Sequence, residues 1–332
     1  MSSATPHPLE LQALIEGVRA SNPTVLGRAI TLVESRAPEK RALADELLSA
    51  LHTTEETSLR VGITGVPGVG KSTFIDALGT LLTAAGHRVA VLAVDPTSPR
   101  TGGSILGDKT RMARLARDPK AFIRPSPSSL TLGGVAAQTR ETMHLCEAAG
   151  YDVILVETVG VGQSETIVEE MVDFFLVLML AGAGDELQGI KRGILEIADM
   201  IAVNKADGSN LEAALRARAE YSSALRLLRP KSSSWTPHAY CVSALEETGL
   251  HELWSHIEAH RDNLHTSGEF TQRRREQRGR QLWQLVLDGV HQALNSNPGV
   301  SILREELEQE VAEGTTTPSV AARLILKAFG IC

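Results

Sequence analysis

The run R-V-G-I-T-G-V-P-G-V-G-K-S-T-F-I-D-A at residues 60–77 decides the fold. Within it Gly65, Pro67, Gly68, Val69, Gly70, Lys71, Ser72 and Thr73 stand in the spacing G-x-x-x-x-G-K-S/T, between an apolar strand-forming stretch and a helix-forming one. Glycines let such a loop close around a phosphate without Cβ clashes, so that backbone N–H groups at the helix start turn onto negative charge. Lys71 is then the cation for the β- and γ-phosphates, and the Ser72 hydroxyl a ligand for Mg²⁺. Strand, loop and helix in this order predict a P-loop NTPase: an α/β fold with a mostly parallel sheet flanked by helices.

Working outward, 332 residues suffice for one large domain or two modest ones. A net charge of −7 argues against a nucleic-acid surface spread over the molecule. The basic run Arg273, Arg274 and Arg275, followed by apolar Leu282, Trp283, Leu285 and Val286, reads as the solvated face of an amphipathic helix. Cys146, Cys241 and Cys332 form no C-x-x-C pair, which fits free thiols in a reducing compartment. No secretory leader opens the chain, and the longest apolar run, 174–183, is far short of the ~20 residues a membrane span requires. The expectation is a cytoplasmic protein with no nucleic-acid or membrane partner.

Three segments are expected: helical residues 1–58, broken at Asn22-Pro23 and Ala37-Pro38; a nucleotide domain over 59–266; and helices over 267–332. The last segment has too little apolar surface of its own to fold alone, so it is expected to pack on the rest of the chain or on a second subunit, the latter being preferred. Buried strands are expected at 88–94, 151–156, 174–180 and 200–203, and short ones at 121–124 and 239–242. The second strand delivers Asp95 to its C-terminal end, where an open α/β sheet binds ligands. A Gly-, Ser- and Thr-rich loop reaching Asp108 follows and reads as a sensor of the terminal phosphate. Glu157-Thr-Val-Gly160 has the spacing of a carboxylate that holds Mg²⁺ through water and a glycine N–H that meets the γ-phosphate. Near 181–192 a second Gly-rich loop carries Asp185, Glu186, Gln188 and Lys191.

Asn204-Lys205-Ala206-Asp207 closes a strand, and its chemistry is selective. A carboxylate accepts both N1–H and the 2-amino group of guanine, which adenine cannot offer. Lys205 would lay its stem along the base. Ser243, Ala244 and Leu245, after the last strand, are placed for a backbone N–H to meet guanine O6. GTP and GDP are therefore favoured over adenine nucleotides.

Together these segments resemble the MeaB/ArgK family of G proteins. The carriers are G-V-P-G-V-G-K-S-T at 65–73, V-D-P-T-S-P at 94–99, G-G-S-I-L-G-D-K-T-R-M at 102–112, E-T-V-G-V-G-Q-S-E at 157–165, A-G-A-G-D-E-L-Q-G-I-K-R-G-I-L-E-I-A-D at 181–199, and N-K-A-D. The resemblance implies a homodimeric GTPase chaperone that binds an adenosylcobalamin-dependent acyl-CoA mutase of the methylmalonyl-CoA mutase type, gates cofactor loading and protects or reactivates the mutase. It further implies Ser72, Asp95, Asp108 and Glu157 around Mg²⁺ and its waters, Asn204, Asp207 and Ser243 at the base, and residues 185–191 as an extra switch that engages the target enzyme. The residue after Gly160 is Val161, whose side chain cannot orient a water as the glutamine of Ras-like enzymes does, so slow intrinsic hydrolysis is expected, with Gln163 a reserve candidate. The rival readings are a nickel- or cobalt-delivery GTPase, disfavoured by ten scattered histidines, of which His251, His256 and His260 read as a partly exposed helix face, and by the lack of a cysteine cluster, a P-loop kinase of a transport system, and a module that binds GTP without hydrolysing it.

Overall fold

The computed structural model describes residues 8–35, 37–53, 58–94, 111–125, 132–158, 164–182 and 192–331. Runs rich in Val, Ile and Leu become β1 (Leu59–Gly65), β2 (Val89–Val94), β3 (Ala121–Arg124), β4 (Val153–Thr158), β5 (Phe174–Leu180), β6 (Met200–Asn204) and β7 (His238–Cys241). They form one sheet in the order β3-β2-β4-β1-β5-β6-β7, and each of these pairings is parallel. A parallel sheet is covered on both faces, which is why V-A-V-L-A-V of β2 shows no polar alternation. On β5, Phe175, Val177 and Met179 join one core, and Phe174, Leu176 and Leu178 the other.

The first core is closed by α1 (Pro8–Arg19), α2 (Pro23–Val33), α3 (Pro38–Ala50), α5 (Leu132–Ala148), α6 (Ser164–Glu169) and α8 (Leu211–Arg226). The second is closed by α4 (Lys71–Ala84) and α9 (Leu250–Ser267). A short helix, α7 (Arg192–Ile197), precedes β6. Both expected breaks near the N-terminus are helix starts, with Pro23 and Pro38 in the first turn, where a missing N–H costs nothing. Asn22 caps α2 by accepting from the N–H groups of Thr24 and Val25 at 3.0 and 3.2 Å. Leu14, Val18, Leu26 and Ile30 of these helices lie in the same core as the sheet.

Contacts divide the chain into two compact units, Met1–Gln277 and Arg278–Cys332, and the division falls inside α10 (Glu269–Ser296). The second unit holds the rest of α10 with α11 (Pro298–Glu313) and α12 (Pro318–Phe329), where Val300, Leu307 and Ala321 are buried. Leu282, Trp283, Leu287 and Ile302 are exposed. No helix among the described residues is long and apolar enough to cross a membrane.

The N-terminal edge of the sheet is built from a repeated device. Asp152, Asp173 and Asp199 each directly precede a strand, and each accepts from a backbone N–H at the start of a neighbouring one: Arg88 at 2.7 Å, Arg60 at 2.8 Å and Phe175 at 2.8 Å. These N–H groups would otherwise be stranded at the sheet edge. The two that are buried, Asp173 and Asp199, then demand cations, and here the structure corrects the reading of the basic run. Arg274 is only 3% exposed, not part of a solvated face. It donates to both oxygens of Asp173 at 2.5 Å and to the Ser58 carbonyl at 3.2 Å. Arg60 grips both oxygens of Glu147 at 2.7 and 2.8 Å. Burial alone would push the Glu147 carboxyl up, but Arg60, Arg274 and the Ser58 hydroxyl outweigh it and hold it down at about 2.

His260, expected on a partly exposed helix face, is also buried, its ring edge-on to Phe174 and Trp235 with centroids 4.9 and 5.1 Å away. Burial lowers its proton affinity to about 4, with Asp199 opposing that shift. Unfolding therefore takes up a proton, and the contribution is full above about 6.5 and lost as pH falls toward 4. Replacing His260→Phe is expected to flatten the acid-side decline of stability across that window, measured by urea denaturation at stepped pH. Removal of the cation in Arg274→Ala should cost about 3 kcal/mol or more, because it leaves the Asp173 charge buried and unpaired. A loss below about 1 kcal/mol in urea titration at pH 7 would show that the pair does not anchor α10.

Candidate functional site

Everything chemical gathers at the opposite, C-terminal edge of the sheet. β1 ends at Gly65, whose φ is +152° and where an added Cβ would lie 2.4 Å from the Leu178 carbonyl oxygen. Gly70, at φ +91°, caps α4 in the left-handed region, and a Cβ there would sit 3.1 Å from the Asn204 amide nitrogen. Between them Pro67 and Gly68 are exposed, while the Val69 side chain is fully buried and pins the loop to the core. The turn thereby presents the start of a 14-residue helix, with its N–H groups and positive dipole end, to the space above the sheet.

Lys71 opens α4 and curls back over this loop, its Nζ donating to the Gly65 carbonyl at 2.7 Å and to that of Val66 at 3.4 Å. Burial lowers its proton affinity, and the carboxylates of Glu157 and Glu165 partly restore it. Ser72 donates to Glu157 Oε1 at 3.3 Å, so β4 and α4 bring a hydroxyl and a carboxylate together. Glu157 lies inside β4, which runs on to Thr158, and Thr158 donates to Thr64 at 2.7 Å in the core. Two hard oxygen donors beside a phosphate loop suit Mg²⁺, which uses one or two protein ligands and fills its octahedron with phosphate and water. Thr73 is exposed at the edge of this group.

The base side is braced by Asn204, the last residue of β6. Its amide nitrogen donates to the Val69 carbonyl at 2.8 Å, and its amide oxygen accepts from the Ala244 N–H at 3.1 Å. Lys205, with φ +58°, extends across the loop to the Gly68 carbonyl at 2.9 Å. Asp207 Oδ2 accepts from the Ser243 hydroxyl, which in turn accepts from the Glu246 N–H at 3.0 Å. Ser243 and Thr248 pair back to back through their main chains, at 3.0 and 3.1 Å, and Leu245 projects from the loop between them. The structure thus brings Lys71, Ser72 and Glu157 to one end of the loop and Asn204, Lys205, Asp207, Ser243 and Ala244 to the other. Asp95, Asp108, Gly160, Val161, Gln163, Asp185, Glu186, Gln188 and Lys191 lie outside the described residues.

One group escaped the sequence reading. Asp76, on α4, accepts from the backbone N–H groups of Arg114 and Leu115 at 3.1 and 2.9 Å, and from Arg114 Nε at 2.8 Å. Arg114 also donates to Glu247, in the loop that carries Ala244 and Leu245. No spacing rule links residues so far apart in the chain.

A phosphate loop braced against an N-K-x-D element on a parallel sheet defines a P-loop protein of the guanine-nucleotide class. The family model described as "Methylmalonyl Co-A mutase-associated GTPase MeaB" matches residues 26–299, and the chain belongs to that family. A probable GTPase of Mycobacterium tuberculosis is 56% identical over 317 residues, covering 96% of this chain and 94% of the relative. The mouse protein named "Methylmalonic aciduria type A homolog, mitochondrial" is 47% identical over 326 residues, 95% of this chain and 78% of its own. Among solved structures, one described as a LAO/AO transport system kinase is 40% identical, with a TM-score of 0.76 over 97% of this chain and 98% of that one. The chain is a GTPase of this family and binds guanine nucleotides.

In Asp207→Asn one carboxylate oxygen becomes a donor, which faces the guanine donors and suits the 2-oxo group of xanthine. Affinity for GDP should fall at least about 100-fold, and xanthosine diphosphate should become the tighter ligand, by calorimetry. An unchanged GDP affinity would remove Asp207 from base recognition.

Proposed function

We propose that this GTPase is a chaperone of an adenosylcobalamin-dependent acyl-CoA mutase of the methylmalonyl-CoA mutase type, using GTP to gate cofactor loading and to protect or reactivate the mutase. The observation that carries this is the match of the mutase-associated GTPase family over residues 26–299. The name of the 47% identical mouse relative, which refers to methylmalonic aciduria, points the same way.

In this reading the N–H groups of residues 68–73 and the Lys71 ammonium take the phosphates. Asp207 reads N1–H and the 2-amino group, a backbone N–H of residues 243–245 meets O6, and Lys205 and Leu245 border the base. Asn204 keeps phosphate loop and base loop in register through its bonds to Val69 and Ala244. Ser72 and Glu157, with Asp95 and Asp108, would hold Mg²⁺ and its waters. The ion, when bound, neutralises charge developing on the β- and γ-phosphate oxygens. Gly160 would offer its N–H to the γ-phosphate. Asp185, Glu186, Gln188 and Lys191 form the loop through which the mutase speeds hydrolysis. The chain is a homodimer, with Leu282, Trp283, Leu287 and Ile302 among the apolar groups a second copy would cover. It works in the cytoplasm.

A second reading, phosphoryl transfer to a transport protein, draws on the name given to the 40% identical structure. Turnover measured on the purified chain separates the two. GTP hydrolysis is expected to be slow alone, to rise at least about tenfold with a purified methylmalonyl-CoA mutase, and to vanish in Lys71→Ala, with labelled γ-phosphate recovered as inorganic phosphate. Turnover indifferent to the mutase, or label retained on protein, would overturn the proposal.

A further inference from the structure

We propose that Arg114 is a positioning residue for guanine recognition: its guanidinium ties the loop over residues 243–249 to α4 by bridging Glu247 and Asp76. The inference rests on the proposed role of this loop, in which a backbone N–H of residues 243–245 meets guanine O6.

Residues 111–117 are fixed to α4 by independent contacts. Asp76 takes both the Arg114 and the Leu115 N–H, so it caps the short helical turn Leu115–Arg117 from outside. Leu115 is fully buried against Gly79, where an added Cβ would sit 2.5 Å from Leu115 Cδ2. Met112 is buried in the same core. The backbone of Arg114 is therefore held on the helix that carries Lys71 and Ser72, and its side chain reaches outward from a firm base.

What it reaches is unusual. Glu247 has φ +57°, a left-handed conformation that glycine or asparagine adopts far more readily than glutamate. A glutamate there accepts strain, which is consistent with a use for its carboxylate. Its carboxylate accepts from Arg114 Nη1, while Arg114 Nε stays on Asp76 at 2.8 Å. Planar guanidinium geometry lets one side chain serve both acids at once, which a lysine ammonium on a flexible stem does poorly. Asn204 secures the loop at Ala244 and the Ser243–Thr248 pair closes its base. The strut to Glu247 holds the side between them, so the backbone of this loop is presented at a fixed height above the phosphate helix.

The outer arm of the strut is about half exposed at both ends, so its effect is screened and modest. Calorimetric affinities for GDP and for 2-aminopurine riboside diphosphate, which lacks the 6-oxo group and with it the N1–H and keeps the 2-amino contact to Asp207, test the assignment. Glu247→Asn keeps a residue tolerant of positive φ and spares buried Asp76, so it stays folded where Arg114→Ala could fail. Glu247→Asn and Arg114→Ala are each expected to weaken GDP about three- to fivefold. The double variant should be no worse than either single, Arg114→Lys should fail to restore affinity, and none should alter binding of the 2-aminopurine nucleotide. Equal losses for both nucleotides, or additive losses in the double variant, would overturn the strut. If the unaltered chain bound GDP no better than the 2-aminopurine nucleotide, the O6 reading itself would fall, and the strut with it.

Discussion

The site depends on one buried side-chain amide. Asn204 is almost wholly enclosed at the end of β6, and each of its polar atoms is matched to a main-chain group of a different loop: Val69 of the phosphate loop and Ala244 of the base loop. An amide offers a donor and an acceptor a fixed distance apart without carrying a charge. A carboxylate there would set a second acceptor against the Val69 carbonyl, and an apolar residue would leave a buried carbonyl and N–H unpaired, at about 1–3 kcal/mol each. The distance between the phosphate cradle and the base loop is thus set by the length of one side chain.

That brace holds only because the sheet beneath it does not slip, and the sheet is pinned from the other end. Asp152, Asp173 and Asp199 share one arrangement, an acid directly before a buried strand that captures an N–H near the start of a neighbour. Arg274, Arg273 and Lys231 then supply cations to the buried acids, with Lys231 Nζ 3.2 Å from Asp199. Taking one partner from such a pair costs far more than the pair contributes, so these residues enforce register rather than add strength. Register matters here because one residue of slip in β1 or β6 would turn Gly65 or Asn204 to the wrong face.

How much of this was legible in the sequence follows from how local each signal is. The phosphate loop and the N-K-x-D element are contiguous and carry their own chemistry, so the parallel sheet and the loop at Gly65 were readable from the chain alone. The pairing of Ser72 with Glu157 follows from the same logic, because the helix that starts at the phosphate loop and the end of β4 meet on one edge of the sheet. Arg274 and His260 were misread for a common reason. Each sits in a helix whose pattern is amphipathic, and periodicity says which face is polar but not whether that face meets water or a buried acid. Arg274 meets Asp173, 101 residues away, and His260 meets Phe174 and Trp235. The Asp76, Arg114 and Glu247 strut has no local signature at all, although an aspartate just before a strand recurs at 152, 173 and 199 and could have been recognised as a repeat.

Glutamate at position 157 fits the geometry of its neighbours. Its carboxylate stands 3.3 Å from the Ser72 hydroxyl while its backbone stays inside β4, paired in register with Ile63 of β1 and Ala93 of β2. An aspartate on the same backbone would draw the carboxylate back by one methylene, out of hydrogen-bonding range of Ser72. The longer side chain lets the strand continue unbroken through Thr158, whose hydroxyl is tied to Thr64 in the core. The acid is thereby mounted on rigid sheet rather than on loop, and strand pairing fixes where its carboxylate stands relative to Ser72.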